Sequence, residues 1–209
     1  MARLILASAS PRRKELLGRL GVRFDVRPVA IAEDAGSSKD PQIVARRLAR
    51  AKAEAARLAD EHAPILAGDT VVAFGGRIFG KPADAGGARE MLRTLRGRTQ
   101  DVVTAVAVMP LGRRSLIARH PVTEVTMREY GDDEIEVSIA RGYPLDKAGA
   151  YGIQDELLRP VERFEGCYCN VIGLSLWAAI EALGEAGEVV PVESVDFLPQ
   201  CATCPLARP

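Results

Sequence analysis

The chain has 209 residues, with 28 lysines and arginines against 28 aspartates and glutamates, so its formal net charge is zero. That balance argues against the broad basic face a duplex DNA partner requires, and any anion site must be built from a few placed cations. At 47% hydrophobic the chain can bury a sizeable core, its length suits one large domain or a domain of two lobes, and no apolar run is long enough to span a bilayer.

In chain order, the opening MARLILASASPRRKE carries its basic residues after a short apolar stretch. A secretory leader has the reverse order, so a cytoplasmic protein with a first buried strand over 3–7 is expected. Ser10 then caps a helix predicted over 11–20, with Pro11 at its first position and Gly21 as the stop. A strand follows over 22–29. Asp40 and Pro41 open a long helix in which Val44, Leu48, Ala51, Ala55 and Leu58 recur at helical spacing and predict the buried stripe. Residues 64–74 read as a strand interrupted at Gly68-Asp69-Thr70, closed by a Gly75-Gly76 hairpin turn. A helix is predicted over 83–95, ending near Gly97. Strands over 102–109 and 115–126 pair around a turn at 110–113, and helices follow over 132–140 and 174–183. Strands alternating with helices predict an α/β fold. Residues 1–187 are expected to form a single two-lobed domain. Residues 188–209 would be an irregular tail, because Pro191, Pro199, Pro205 and Pro209 discourage regular structure.

Several residues break the local rules of these elements. The helix at Pro11 opens with Arg12, Arg13 and Lys14, although a helix N-terminus carries partial positive charge and favours acidic residues. A bound anion would relieve the conflict: backbone N–H groups, the Ser8 and Ser10 hydroxyls and the arginines would together cradle a phosphate. Lys52 is the lone charge on an alanine-lined flank of its helix, beside Ala45, Ala49, Ala56 and Ala59. It either reaches into a cleft or snorkels at a core edge. Asp69 sits inside an apolar strand, where a carboxylate is costly unless it is paired or binds a metal. It is thus a candidate general base or metal ligand, and Gly68 before it permits a close approach. Lys81 is held between Gly80 and Pro82. The segment LDKAGAYGIQ has no clear period and brings Asp146, Lys147, Tyr151 and Gln154 together; the Gln154 amide suits the edge of a base. No Walker A loop, GxGxxG turn or GxSxG elbow is present, and His62 and His120 lack metal-ligand spacing.

Taken together, LASASPRRKELL, Glu33 after the second strand, LARAKA, AGDTVV, GKP, TAVAV, LDKAGAYGIQ and EGCYCNVIGL resemble the Maf family of nucleoside triphosphate pyrophosphatases, from about residue 4 to residue 183. The resemblance implies an α/β fold with a mixed twisted sheet and two lobes around a central cleft, like that of the related inosine triphosphate pyrophosphatases. It implies cleavage between the α and β phosphates with a divalent metal, magnesium or manganese. It gives Asp69 the proton-acceptor role and Arg12, Thr70 and Gln154 the base-specificity positions. Ser8, Arg13, Glu33, Lys52 and Lys81 match further cleft residues, and Glu33 joins Asp69 as a metal ligand. Arg12, Thr70 and the AYGIQ ending at Gln154 are similar to the branch that acts on dTTP and UTP. Branches acting on 7-methyl-GTP or damaged purine triphosphates, and a nucleotide-binding regulator of septum formation, are the alternatives. The expected partner is the nucleotide, with neither nucleic acid nor membrane, and with a homodimer left open.

The sequence departs from that pattern in two places. Ser175 stands where the family commonly has a proline, which is expected to loosen the start of the last helix. Of the four cysteines, Cys167 and Cys169 form a Cys-x-Cys where relatives often have serine-like residues, and Cys201 and Cys204 form a Cys-x-x-Cys in a tail outside the family pattern. They can stay reduced, form disulfides or ligate zinc if the tail folds back.

Overall fold

The computed structural model describes residues 3–31, 38–59, 62–112 and 115–207. Its elements are β1 (Leu4–Leu6), α1 (Pro11–Gly18), β2 (Phe24–Val26), α2 (Pro41–Ala59), β3 (Ile65–Phe74), β4 (Arg77–Phe79), α3 (Ala85–Leu95), β5 (Thr99–Met109), β6 (Ile117–Arg119), β7 (Val122–Met127), α4 (Asp132–Ala140), β8 (Val161–Glu165), α5 (Tyr168–Ile172) and α6 (Leu176–Glu185). The eight strands form one sheet in the order β2-β1-β3-β5-β7-β8, with β4 added to β3 and β6 added to β5. β1 runs parallel to β2 and β3, and the other pairings are antiparallel. The sheet is therefore mixed, as expected.

Local chemistry accounts for the element boundaries. The Ser10 hydroxyl accepts from Arg13 N at the start of α1, and Asp40 Oδ1 accepts from Gln42 N and Ile43 N at the start of α2. Gly75 and Gly76 take φ of +58° and +73°, the left-handed turn that a tight hairpin between β3 and β4 needs. Pro121 divides the single strand expected over 115–126 into β6 and β7, because proline has no N–H to give the ladder. Ser175 replaces the absent proline as a cap: its hydroxyl accepts from Ala178 N at 3.3 Å, so α6 starts firmly.

Two expectations about the core are corrected. β3 is not interrupted: Gly68, Asp69 and Thr70 pair in register with Val106, Ala105 and Thr104. The backbone ladder is indifferent to side-chain polarity, so a long partner strand carries β3 straight through its polar centre. In α2 the buried face is Val44, Ala45, Leu48, Ala49, Ala53 and Ala56, while Leu58 is 89% exposed. The helix is rotated toward its small residues, which let it lie closer to the sheet than a leucine stripe would.

Alternate residues of β3 serve opposite faces. Ile65, Ala67 and Val71 pack with residues of α2, such as Val44, Leu48 and Ala53. Leu66 packs with Leu16, Leu17 and Leu176 of α1 and α6. Toward the other end, Val72 packs with Leu92 and Leu95 of α3. Leu66 and Val72 thus belong to separate core clusters, and a cleft borders the middle of β3 at Asp69 and Thr70. Beyond Gly187 the chain forms two 3-10 turns, Val192–Ser194 and Pro199–Thr203. It packs on the body through a Phe197–Trp177 ring stack, centroids 4.6 Å apart.

Candidate active site

Asp69 lies at the centre of β3 on the face covered by α2. Because α2 presents alanines there, Lys52 reaches the centre of β3: its Nζ donates to Asp69 Oδ1 at 2.6 Å. Their side chains are 11% and 9% exposed. Placing one such charge alone in this site would cost several kcal/mol, roughly, and the opposite charge offsets it. The pair still borders the cleft, so water and ligand can reach it.

The three cations that open α1 take three different positions. Lys14 is exposed. Arg13 is 9% exposed and points inward. Its Nη1 donates to Ser8 Oγ at 3.0 Å, its Nη2 to Thr70 Oγ1 at 3.1 Å and its Nε to Gly173 O at 2.9 Å. Gly68 makes this possible, since a Cβ there would stand 3.0 Å from Arg13 Nε and 3.1 Å from Ala105 O. Ala105 is on the adjoining strand, so Gly68 is required for the arginine's passage. Arg12 keeps most of its fork toward the cleft, with one 3.3 Å contact from Nη1 to Asp146 Oδ2.

Thr70 is fixed from behind. Its hydroxyl is 2.9 Å from that of Thr104, and Thr104 donates to Asn170 O at 2.6 Å while its N–H bonds Asn170 Oδ1. Asn170 also donates to Val102 O and Thr123 Oγ1. Thr104 and Asn170 are completely buried and were not singled out from the sequence. Their signal was a lone hydroxyl within VVTAVAV and a lone amide within CNVIGL.

A second compartment adjoins the first and shares Arg12 and Thr70 with it. Its wall is the loop after α4, including Tyr143, Lys147, Tyr151 and Gln154, with Val171 from α5. Lys147 is held within its own loop. Its Nζ donates to Tyr143 O at 2.5 Å and to Asp146 Oδ1 at 2.6 Å, and lies 3.7 Å from the Tyr143 ring centroid. Burial pulls its amine below the usual lysine range, against the Asp146 charge. Desolvation pushes the Asp146 carboxyl up, but the Lys147 bond and the Arg12 and Lys147 charges together hold it below the usual range. The loop is bent by two successive left-handed residues, Gly149 at φ +70° and Ala150 at φ +62°. An alanine in that region is strained, and such strain persists only where the surroundings enforce it. Gly149 N bonds Gly80 O at 3.0 Å, tying the loop to the segment that carries Lys81.

Ser8, Arg12, Arg13, Lys52, Asp69, Thr70 and Lys81 thus line one compartment, and Gln154 lines its neighbour. Glu33 lies outside the described residues. Among the described residues no three histidine, cysteine, aspartate or glutamate side chains stand arranged around a metal position, and no helix is long and apolar enough to cross a membrane.

Fold and site define an α/β protein with one mixed sheet, bordered at the middle of β3 by a cleft that holds a buried carboxylate and several cations. The chain belongs to the Maf-like protein family, whose model matches residues 3–186. It is 50% identical to a dTTP/UTP pyrophosphatase of Thermomicrobium roseum, over 98% of this chain and 94% of that protein. Proteins of the same name from Moorella thermoacetica and Geobacter sulfurreducens are 46% and 43% identical, over 90% and 88% of this chain and 96% and 97% of theirs.

Proposed function

We propose that this chain is a nucleoside triphosphate pyrophosphatase that hydrolyses dTTP and UTP to the monophosphate and pyrophosphate, acting in the cytoplasm to limit excess or non-canonical nucleotides. The observation that carries the reading is the buried Lys52–Asp69 pair at the floor of a cleft that also holds Ser8, Arg12 and Lys81. A binding protein needs the cations but has no use for a desolvated carboxylate beside them.

Water attacks the α phosphorus, the α–β anhydride bond breaks and pyrophosphate leaves. Asp69 accepts the proton of the attacking water, and Lys52 fixes the orientation of its carboxylate. Ser8 Oγ already accepts from Ser10 N and Arg13 Nη1, which turns its own O–H toward phosphate oxygen. Arg12 and Lys81 neutralise the departing pyrophosphate. Arg13 acts through others, holding Ser8 and Thr70 in place. Arg12, Thr70 and Gln154 border the base compartment and select the pyrimidine.

A hard divalent ion fits this donor set, because magnesium binds through one or two carboxylates, substrate phosphates and water and needs no all-protein cage. Asp69, joined by Glu33, would hold it, and when bound it supplies further charge neutralisation at the phosphates. The test is pyrophosphate release by the purified chain from UTP, dTTP, CTP, 7-methyl-GTP and ITP with magnesium or manganese. Faster release from UTP and dTTP than from the others is expected. Preference for 7-methyl-GTP or ITP would overturn the substrate assignment, and orthophosphate as first product would overturn the bond cleaved.

A further inference from the structure

The four cysteines take no part in the cleft, and two of them lie beyond the stretch matched by the family model. Cys167 and Cys169 sit at the start of α5, and Cys201 and Cys204 at the second 3-10 turn. All four are buried in one cluster. Cys169 Sγ and Cys201 Sγ are 3.2 Å apart, and Cys167 faces Cys204. Each thiol of the body therefore meets a thiol of the tail. The 3-10 turn explains half of this convergence, since residues three apart eclipse on one face of such a helix.

We propose that these four thiols form a structural zinc site that staples the C-terminal segment to α5. Soft sulfur ligands in Cys-x-Cys and Cys-x-x-Cys pairs suit zinc, whereas the oxygen donors of the cleft suit a hard ion. As the thiols stand they are paired rather than tetrahedral, and no three of them yet surround one metal position. A tetrahedron with Zn–S bonds of about 2.3 Å has edges of about 3.8 Å. The 3.2 Å between Cys169 and Cys201 would open by about 0.6 Å to reach that spacing.

The surroundings favour metal over disulfides. All four thiols are buried. Thiolate is the species that attacks a disulfide, so buried neutral thiols are poor exchange partners. Zinc reverses the balance: each thiol gives up one proton as it binds, and the dication offsets the buried negative charge. At Cys167 the thiol donates to the Ser175 hydroxyl at 3.4 Å, a hydroxyl that can turn to donate once the thiol proton is lost. The segment also has need of a staple. Apart from two short 3-10 turns its described residues have no regular structure, and its Arg19–Asp196 ion pair ends on a carboxylate that is 75% exposed.

Elemental analysis of the full chain, purified with mild reductant and no chelator, tests this. About one zinc per chain is expected, as a four-cysteine site holds. Wild-type protein stripped of zinc and refilled with cobalt(II) should show the intense near-ultraviolet charge-transfer absorption of thiolate ligation, a readout that needs no mutant to fold. Cys201→Ser combined with Cys204→Ser should lose the zinc and lower the melting temperature while pyrophosphate release from dTTP persists. Four titratable thiols without zinc would overturn the proposal. So would a mass lowered by disulfide formation, or cobalt(II) bound without thiolate absorption.

Discussion

The two compartments of the cleft are built from different material. The cation-lined one takes its polar side chains mainly from α1, α2 and the middle of β3, elements fixed by caps, alanine packing and an unbroken ladder. Its neighbour takes most of its polar wall from one loop bent through two left-handed residues. On the proposed function, the triphosphate is common to every nucleoside triphosphate, so its groups can be placed once on rigid elements. The base varies, and a loop that carries Gln154 can change without disturbing the sheet. Substitutions on the first side should therefore damage turnover or stability, and those on the second should change selectivity.

The sharpest attempt to break that division is Asp69→Asn. Turnover should fall by about 10²–10⁴-fold, the range of a lost general base, while equilibrium binding of dTTP persists. Near-normal pyrophosphate release would remove Asp69 from the chemistry. Lys52→Met leaves the carboxylate without its ammonium partner and should cost about 3 kcal/mol in urea unfolding. Gly68→Ala forces Arg13 away from Ser8 and Thr70. It should cost about 1–3 kcal/mol as an overpacked site and lower kcat for UTP and dTTP alike, whereas unchanged kinetics would show that Arg13 positions nothing.

On the loop side, Gln154→Ala should change the UTP-to-CTP ratio by about fivefold, the worth of one hydrogen bond, with kcat for UTP little altered. Equal losses for all nucleotides would place Gln154 among the phosphate groups instead. The smallest effect concerns Asp146. Its folded-state pKa lies below the ordinary 3.8, so its contribution is present above that value and is lost as pH falls through the lowered one. Asp146→Asn should flatten the acid limb of a thermal-melt pH series by less than about 1 kcal/mol, since its side chain is 59% exposed.

The same division governs what the sequence allowed to be read. Ser10-Pro11, Asp40-Pro41 and Gly75-Gly76 act locally, so their caps and turn were legible. Lys52 was legible as the lone charge on an alanine face, although the predicted stripe put Leu58 inward. The leucine spacing competed with the alanine side and lost, because close approach to the sheet matters more than side-chain size there. Arg13 was read as a phosphate fork because its partners Thr70 and Gly173 are distant in sequence and no local pattern announces them. Thr104 and Asn170 escaped for the same reason. β8 escaped because its charged edge-strand residues, exposed on both sides of Phe164, hide the alternation a strand normally shows.

Asp69 and Thr70 are consecutive residues on opposite faces of one strand. The group proposed to take a proton and a group proposed to border the base are thus separated by a single peptide unit. Point substitutions can alter either one alone. Insertion or deletion of one residue in the first half of β3 cannot, because a one-residue shift sends every following side chain to the other face. The carboxylate would then turn toward Arg13, and the hydroxyl toward Lys52. Side-chain replacement and a change in the length of the loop after α4 therefore remain open as routes to altered substrate choice, whereas the length of β3 stays fixed.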